Sequence, residues 1–253
     1  MGDKTIIAWT SKTWNPWKGC THVSPGCDHC YADRQMTKLG LNFSVVTRTK
    51  TWGDPLRWQK AAEQAGRLET VFTCSWSDWF HRDADAWRPE AWKIVRSCRN
   101  LHFQILTKRA ERMARHLPAD WREGYPNVWL GVSVESKKYL WRLDYLRKTP
   151  ARIRFVSAEP LLEDLELMPD QVEGIHQIIV GGESGPGFRP MDHQWARSIL
   201  ALCRQLGIAY FFKQSAAPRT EMGTRLDGRE YKEYPLDLVA EVKALQVTAG
   251  GYT

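Results

Sequence analysis

The chain has 253 residues, 43% hydrophobic and 26% charged, a balance ordinary for a soluble globular protein with a sizeable core. Its 36 Lys and Arg outnumber 29 Asp and Glu, and the net charge of +7 favours approach to a polyanion, although no block of like charges stands out. No apolar run could span a bilayer, six cysteines are too few for a disulfide scaffold, and Met1-Gly2-Asp3-Lys4 lacks the pattern of a secretory signal. The expectation is a cytoplasmic protein in a reducing bacterial or phage-infected host cytosol, with no membrane partner.

In chain order, a strand is expected at Thr5–Trp9. The stretch G-C-T-H-V-S-P-G-C-D-H-C-Y-A follows, placing Cys20, Cys27 and Cys30 within eleven residues, with Gly19, Pro25 and Gly26 bending the backbone between them. Three is the informative number, because a structural zinc or a fully ligated [4Fe–4S] cluster takes four protein ligands, and three leave one position open for chemistry. A helix over Tyr31–Leu39 is expected next.

Short β-rich runs then alternate with helical patterns. Strands are expected at Thr70–Trp76, Phe103–Thr107, Val128–Val134, Ile153–Ser157, Ile175–Gly182 and Ile208–Phe212, and helices at Arg88–Arg99, Arg109–His116, Lys137–Lys148 and His193–Leu206. Such alternation indicates βα units and a parallel sheet. The fold class expected is α/β, a partial (β/α)6-type TIM barrel with an extra C-terminal strand and helix; an open doubly wound sheet is the competing topology. One domain over 1–253 is expected, with the cysteine loop at 19–31 and an extension from about 215 that holds a turn at Leu226–Arg229 and a helix at Asp237–Val247.

In βα architectures the active site lies where strands end. Here those ends carry Ser75, Ser77 and Asp78, then Thr107, Lys108 and Arg109, then Ser133 and Glu135, then Ser157 and Glu159, then Gly181, Gly182, Glu183 and Ser184, and last Lys213. Each has a plainer reading: the serines as helix caps, the glutamates as partners of surface arginines, the glycines as a connector. Gly181–Gly187 fits neither phosphate-loop pattern, so its glycines would let backbone approach a ligand closely. The 13 tryptophans are expected mainly in the core, with a stacking platform for a base or cofactor ring as the other use.

W-N-P-W-K-G-C-T-H-V-S-P-G-C-D-H-C-Y-A, S-W-S-D-W-F-H, L-T-K-R, W-L-G-V-S-V-E, R-F-V-S-A-E-P-L-L and G-G-E-S-G-P-G-F-R-P-M together resemble the phage Gp37/Gp68 (DUF5131) family, from about Trp9 to Lys213. That family's cysteine loop is similar to the loop of radical S-adenosylmethionine (SAM) enzymes. Their usual spacing is C-x3-C-x2-C, and here it is C-x6-C-x2-C, three residues longer in the first gap.

The resemblance implies that Cys20, Cys27 and Cys30 bind three irons of a [4Fe–4S] cluster whose fourth iron chelates SAM, and that cleavage of SAM gives a 5′-deoxyadenosyl radical. His29 takes the place of an aromatic contact to adenine. The usual Gly-Gly-Glu after the second strand is absent, and Ser75, Ser77 or Asp78 would substitute for it. Lys108, Ser133, Glu135, Glu159, Gly181, Gly182 and Glu183 would complete the SAM site, with Trp76, Arg109, Ser184, Arg189 and Lys213 facing the substrate. A nucleic-acid base or nucleotide is the substrate class suggested, and a flavodoxin or ferredoxin the reductant. The alternative is a zinc-stabilised nucleic-acid-binding module, ligated by Cys20, Cys27, Cys30 and either His22 or His29. Cys98 and Cys203 read as buried inert thiols; Cys74, inside a strand near the site, is a candidate fourth ligand.

Overall fold

The computed structural model describes residues 5–235. Among the described residues nine strands form: β1 (Lys12–Trp14), β2 (Trp17–Lys18), β3 (Thr47–Arg48), β4 (Glu69–Thr73), β5 (Leu101–Thr107), β6 (Val128–Ser133), β7 (Ile153–Ala158), β8 (Gln177–Gly181) and β9 (Ala209–Gln214). Seven of them make one sheet in the order β1-β4-β5-β6-β7-β8-β9, every pair parallel. The order follows the chain without the reversal of a doubly wound sheet. The result is an α/β half-barrel of seven parallel strands, and the run at 208 supplies the seventh. β2 and β3 form a separate antiparallel pair beside the cysteine loop.

The helices are α1 (Tyr31–Lys38), α2 (Asp54–Gln64), α3 (Arg88–Ser97), α4 (Trp141–Lys148) and α5 (His193–Leu206). α5 starts on Asp192, whose carboxylate accepts from the Gln194 N–H at 2.8 Å, and stops at Gly207 with φ +70°, as an N-cap and a left-handed C-cap should. α2 was not expected, although Pro55 at its start is a conventional first-turn residue. The helix at Arg109–His116 is instead two 3-10 turns, Ala110–Arg112 and Ala114–His116. The Arg109 N–H donates to the Thr107 hydroxyl and the Arg112 side chain reaches back to Phe80 O, so local bonds displace the regular ladder. The expected helix at Asp237–Val247 lies outside the described residues.

Period-2 alternation sorts the sheet into two faces. Val128, Leu130 and Val132 of β6, Val156 of β7, Ile178 and Val180 of β8 and Tyr210 and Phe212 of β9 pack outward in the large core. Phe72, Trp129, Phe155, Ile179 and Phe211 point into the bowl and surround Trp9, whose ring lies 4.5 Å from Phe72 and 6.1 Å from Phe155. This overturns the strand expected at Thr5–Trp9: burying the indole in the bowl takes that segment across the sheet, and pairing begins only at Lys12. Most other tryptophans are core, with contacts running from Trp17 to Trp79 (5.1 Å), Trp79 to Trp92 (5.0 Å) and Trp92 to Trp121 (5.3 Å), whereas Trp141 is exposed and Trp76 lies at the cysteine loop.

Candidate functional site

Because all seven strands run the same way, their C-terminal ends share one rim, and the cysteine loop crosses it. A cavity of about 620 Å³ opens there. Ile7, Trp9, Phe72 and Leu106 form its apolar part, while Cys20, Cys27 and Cys30 line it together with polar groups of the strand ends. Ser133, Ser157 and Lys213 are each an even number of residues from the bowl-facing Trp129, Phe155 and Phe211, so the pleat that builds the apolar bowl also aims them into the cavity.

Three carboxylate–arginine pairs tie the loop to the rim, one near each cysteine. At Cys20, the Arg109 guanidinium donates to Sγ at 3.4 Å and to Thr21 O and Oγ1 at 2.8 Å each, and pairs with Asp78 at 3.2 Å. Asp78 also accepts from the Thr107 hydroxyl (2.7 Å) and the N–H groups of Phe80 (2.8 Å) and Lys108 (2.9 Å). Burial would raise this carboxyl, but Arg109 and these donors outweigh it and hold it below the ordinary carboxylate range. Gly19 donates to Trp76 O and accepts from the Ser77 hydroxyl.

At Cys27, Glu135 leaves the end of β6 fully buried and pairs at 2.8 Å with the equally buried Arg142 of α4. The Ser24 hydroxyl donates to Glu135, and Ser24 O accepts from the Cys27 N–H at 2.8 Å, which fixes the 3-10 turn Pro25–Cys27. Gly26 is required there, since a Cβ would come within 2.9 Å of the Glu135 carboxylate.

Beside Cys30, His29 Nδ1 hydrogen-bonds Glu183 at 2.8 Å, and Glu183 accepts from the Arg189 N–H and side chain. Burial raises this carboxyl too, and Arg189 and His29 more than reverse it. Arg189 donates on to Pro25 O at 2.9 Å. Arg34 of α1 reaches Ser184 O at 2.9 Å, past Gly185 at φ +112°, where a Cβ would stand 2.2 Å from the guanidinium.

Of the residues singled out in the sequence, His29, Ser75, Trp76, Ser77, Asp78, Lys108, Arg109, Ser133, Glu159, Gly182, Glu183, Ser184 and Lys213 line the cavity with the three cysteines. Glu159 and Lys213 form an ion pair across it at 2.6 Å. Glu135, Gly181 and Arg189 do not line it: Glu135 and Arg189 serve the ties above, and Gly181 lies beneath the Glu159 side chain. Ser24, Arg34 and Arg142 were missed. Arg34, four residues after Cys30, shares its side of the first helical turn, whereas no pattern in the sequence joins Arg142 to the loop.

Burial pushes the Cys20 thiol up to about 12 against the pull of Arg109, and also raises Cys30. Such thiols give up their protons to a partner that takes the charge, as a bound iron does. Among the described residues no three His, Cys, Asp or Glu side chains converge as ligands of one ion. A cluster asks for something else, one thiolate on each of several irons, and three thiols around one cavity fit it. Cys74 also lines the cavity, buried and at φ +57°, while Cys98 and Cys203 are buried in the core.

Two solved structures match this chain. A doubly substituted spore photoproduct lyase with bound AdoMet and dinucleoside spore photoproduct matches with a TM-score of 0.51 and 12% identity, over 81% of this chain and 64% of that one. A singly substituted spore photoproduct lyase with dinucleoside spore photoproduct gives 0.48 and 13%, over 98% and 75%. The chain therefore spans less than two thirds of the first lyase, and at these identities the likeness is one of fold. No curated protein matches. The profile described as a protein of unknown function (DUF5131) matches residues 4–235, nearly the whole chain, and this chain belongs to the DUF5131 family.

Proposed function

We propose that this protein is a radical SAM enzyme in which Cys20, Cys27 and Cys30 hold a [4Fe–4S] cluster and the cavity takes SAM and the substrate. One observation carries the reading: the three thiols of the C-x6-C-x2-C loop line a single cavity at the C-terminal rim of a half-barrel, facing the strand-end polar groups. The AdoMet in the lyase of similar fold supports it. When held by Cys20, Cys27 and Cys30, the cluster would supply the one electron needed for reductive cleavage of SAM, chemistry that would end in removal of a hydrogen atom from the substrate.

The protein's part is to position and to shield. The three ties fix the cysteines, and the apolar bowl around Trp9 and Phe72 keeps water from a reactive species. Ser133 and Ser157 offer hydroxyls to a ribose or an amino acid group, the Ser75 hydroxyl is held by the Asn15 amide, and the Glu159–Lys213 pair offers one charge of each sign. The domain reading is a single radical SAM-like barrel over 1–253. Its working place is the cytosol, with a one-electron donor of the flavodoxin or ferredoxin class; among the described residues no helix is long and apolar enough to cross a membrane.

For the substrate we favour a nucleic-acid base or nucleotide, undergoing modification, isomerisation or repair. The net charge of +7, the aromatic bowl and the dinucleoside held by the lyase support this class. A zinc module is disfavoured because His22 is turned to Asp33 at 3.1 Å, His29 to Glu183, and no three donors among the described residues converge on one ion.

Anaerobic reconstitution with iron and sulfide tests the reading. The expected result is a brown protein that releases 5′-deoxyadenosine from SAM under a strong reductant, with Cys27→Ala abolishing cluster uptake and Cys203→Ala leaving it intact. Stoichiometric zinc with no iron–sulfur absorption and no SAM cleavage would overturn it.

A further inference from the structure

The sequence places Arg109 towards the substrate, yet its guanidinium is spent elsewhere. The residue is 7% exposed, with Nη1 on Cys20 Sγ and Asp78 and Nη2 on Thr21 O and Oγ1. Asp78 is itself held by Thr107, Phe80 and Lys108, so the cation cannot swing towards the cavity without leaving a buried carboxylate unpaired. This is a fixed positive charge, kept out of water, on the sulfur of one ligand.

We infer that Arg109 is a positioning residue that sets the reduction potential of the cluster through Cys20, an inference that rests on the radical SAM reading above. Reduction by a one-electron donor adds negative charge that spreads onto the thiolate sulfurs. A charge-assisted N–H···S bond and a cation in a low-dielectric site both stabilise the reduced state more than the oxidised one. The Asp78 carboxylate, paired with the same Nη1, works against this, but only the guanidinium donates a hydrogen bond to the sulfur. Lysine would keep the charge and lose the fork that reaches Cys20, Thr21 and Asp78 together.

The test is an anaerobic redox titration of the reconstituted protein, read by the visible absorption and electron paramagnetic resonance of the cluster. In Arg109→Gln the ratio of reduced to oxidised cluster at a fixed potential should fall at least tenfold, about 59 mV for a one-electron couple, with a smaller fall in Arg109→Lys. A cluster-loaded Arg109→Gln with an unchanged ratio overturns the inference. Wild-type protein labelled with [15N]arginine decides the matter should Arg109→Gln fail to load. The reduced cluster should show a 15N hyperfine coupling that Arg109→Lys abolishes, and its absence from the wild type overturns the inference. A wild-type protein that takes up no [4Fe–4S] cluster overturns this inference and the radical SAM reading together, whereas an unshifted potential leaves that reading standing.

Discussion

Asp78 shows how little of a residue's role lies in its type. A carboxylate at a strand end reads as a ligand for substrate or cofactor, but here it accepts from Thr107, Phe80 and Lys108 and pairs with Arg109, which leaves it a strut for the cysteine loop. Its carboxyl is held below the ordinary value, so its stabilising effect is fully present above about pH 3.9 and is lost as the pH falls through the depressed folded value. Asp78→Asn keeps the shape but strands a buried guanidinium, at a cost of about 3–5 kcal/mol at pH 7. The difference in Tm between wild type and Asp78→Asn should therefore be widest near neutrality and should narrow as the pH falls towards 3; a difference independent of pH over that range would refute the strut. Much of the cavity's lining was legible in the sequence, since the three cysteines and most strand-end polar groups do meet around one cavity. Pairing was not legible, because Glu135 finds Arg142 and Glu183 finds Arg189 through tertiary geometry that no spacing announces.

At the scale of elements, β6 and β8 were the most readable of the strands because they are mainly apolar, of strand length and buried on both faces as parallel strands are. The first was not: Thr5–Trp9 has a strand's composition, but Trp9 gains more from filling the bowl than from pairing at an edge. The helix expected at Arg109 failed for a related reason, its leading side chain being held by the cysteine loop. β6 offers a check on how tightly the bowl is built. Gly131 lies between β5 and β7, and a Cβ there would stand 2.5 Å from the Phe155 ring. Gly131→Ala should destabilise by about 1–3 kcal/mol through overpacking, read as a lower urea midpoint with an unchanged slope. Gly53→Ala, at a position with open space, adds no overpacking and should cost less, about 0.5–1 kcal/mol, because glycine is preferred to alanine at the N-cap of α2.

For the whole molecule, the order of dependence between metal and fold separates the two functional classes. A zinc module is organised by its ion and unfolds without it. Here the loop is bound to the ends of β4, β5, β6 and β8 by buried hydrogen bonds and ion pairs before any metal is considered, and it lies over a seven-stranded sheet with its own core. The first gap of the C-x6-C-x2-C loop belongs to the same design, since it holds Ser24, which meets Glu135, and Pro25, which meets Arg189. Stripped of iron with a chelator under reducing conditions, the protein should keep its far-ultraviolet circular dichroism and a single cooperative thermal transition. Its loop amides at Cys20 and Cys27, donated to Phe43 O and Ser24 O, should remain slow to exchange. Glu135→Gln should selectively speed exchange over 24–27 in that apo protein while Cys20 stays protected by Arg109 and Phe43, because each tie holds its own stretch of loop. Global unfolding on metal removal, or a loop that exchanges freely throughout, would place the metal first and the fold second.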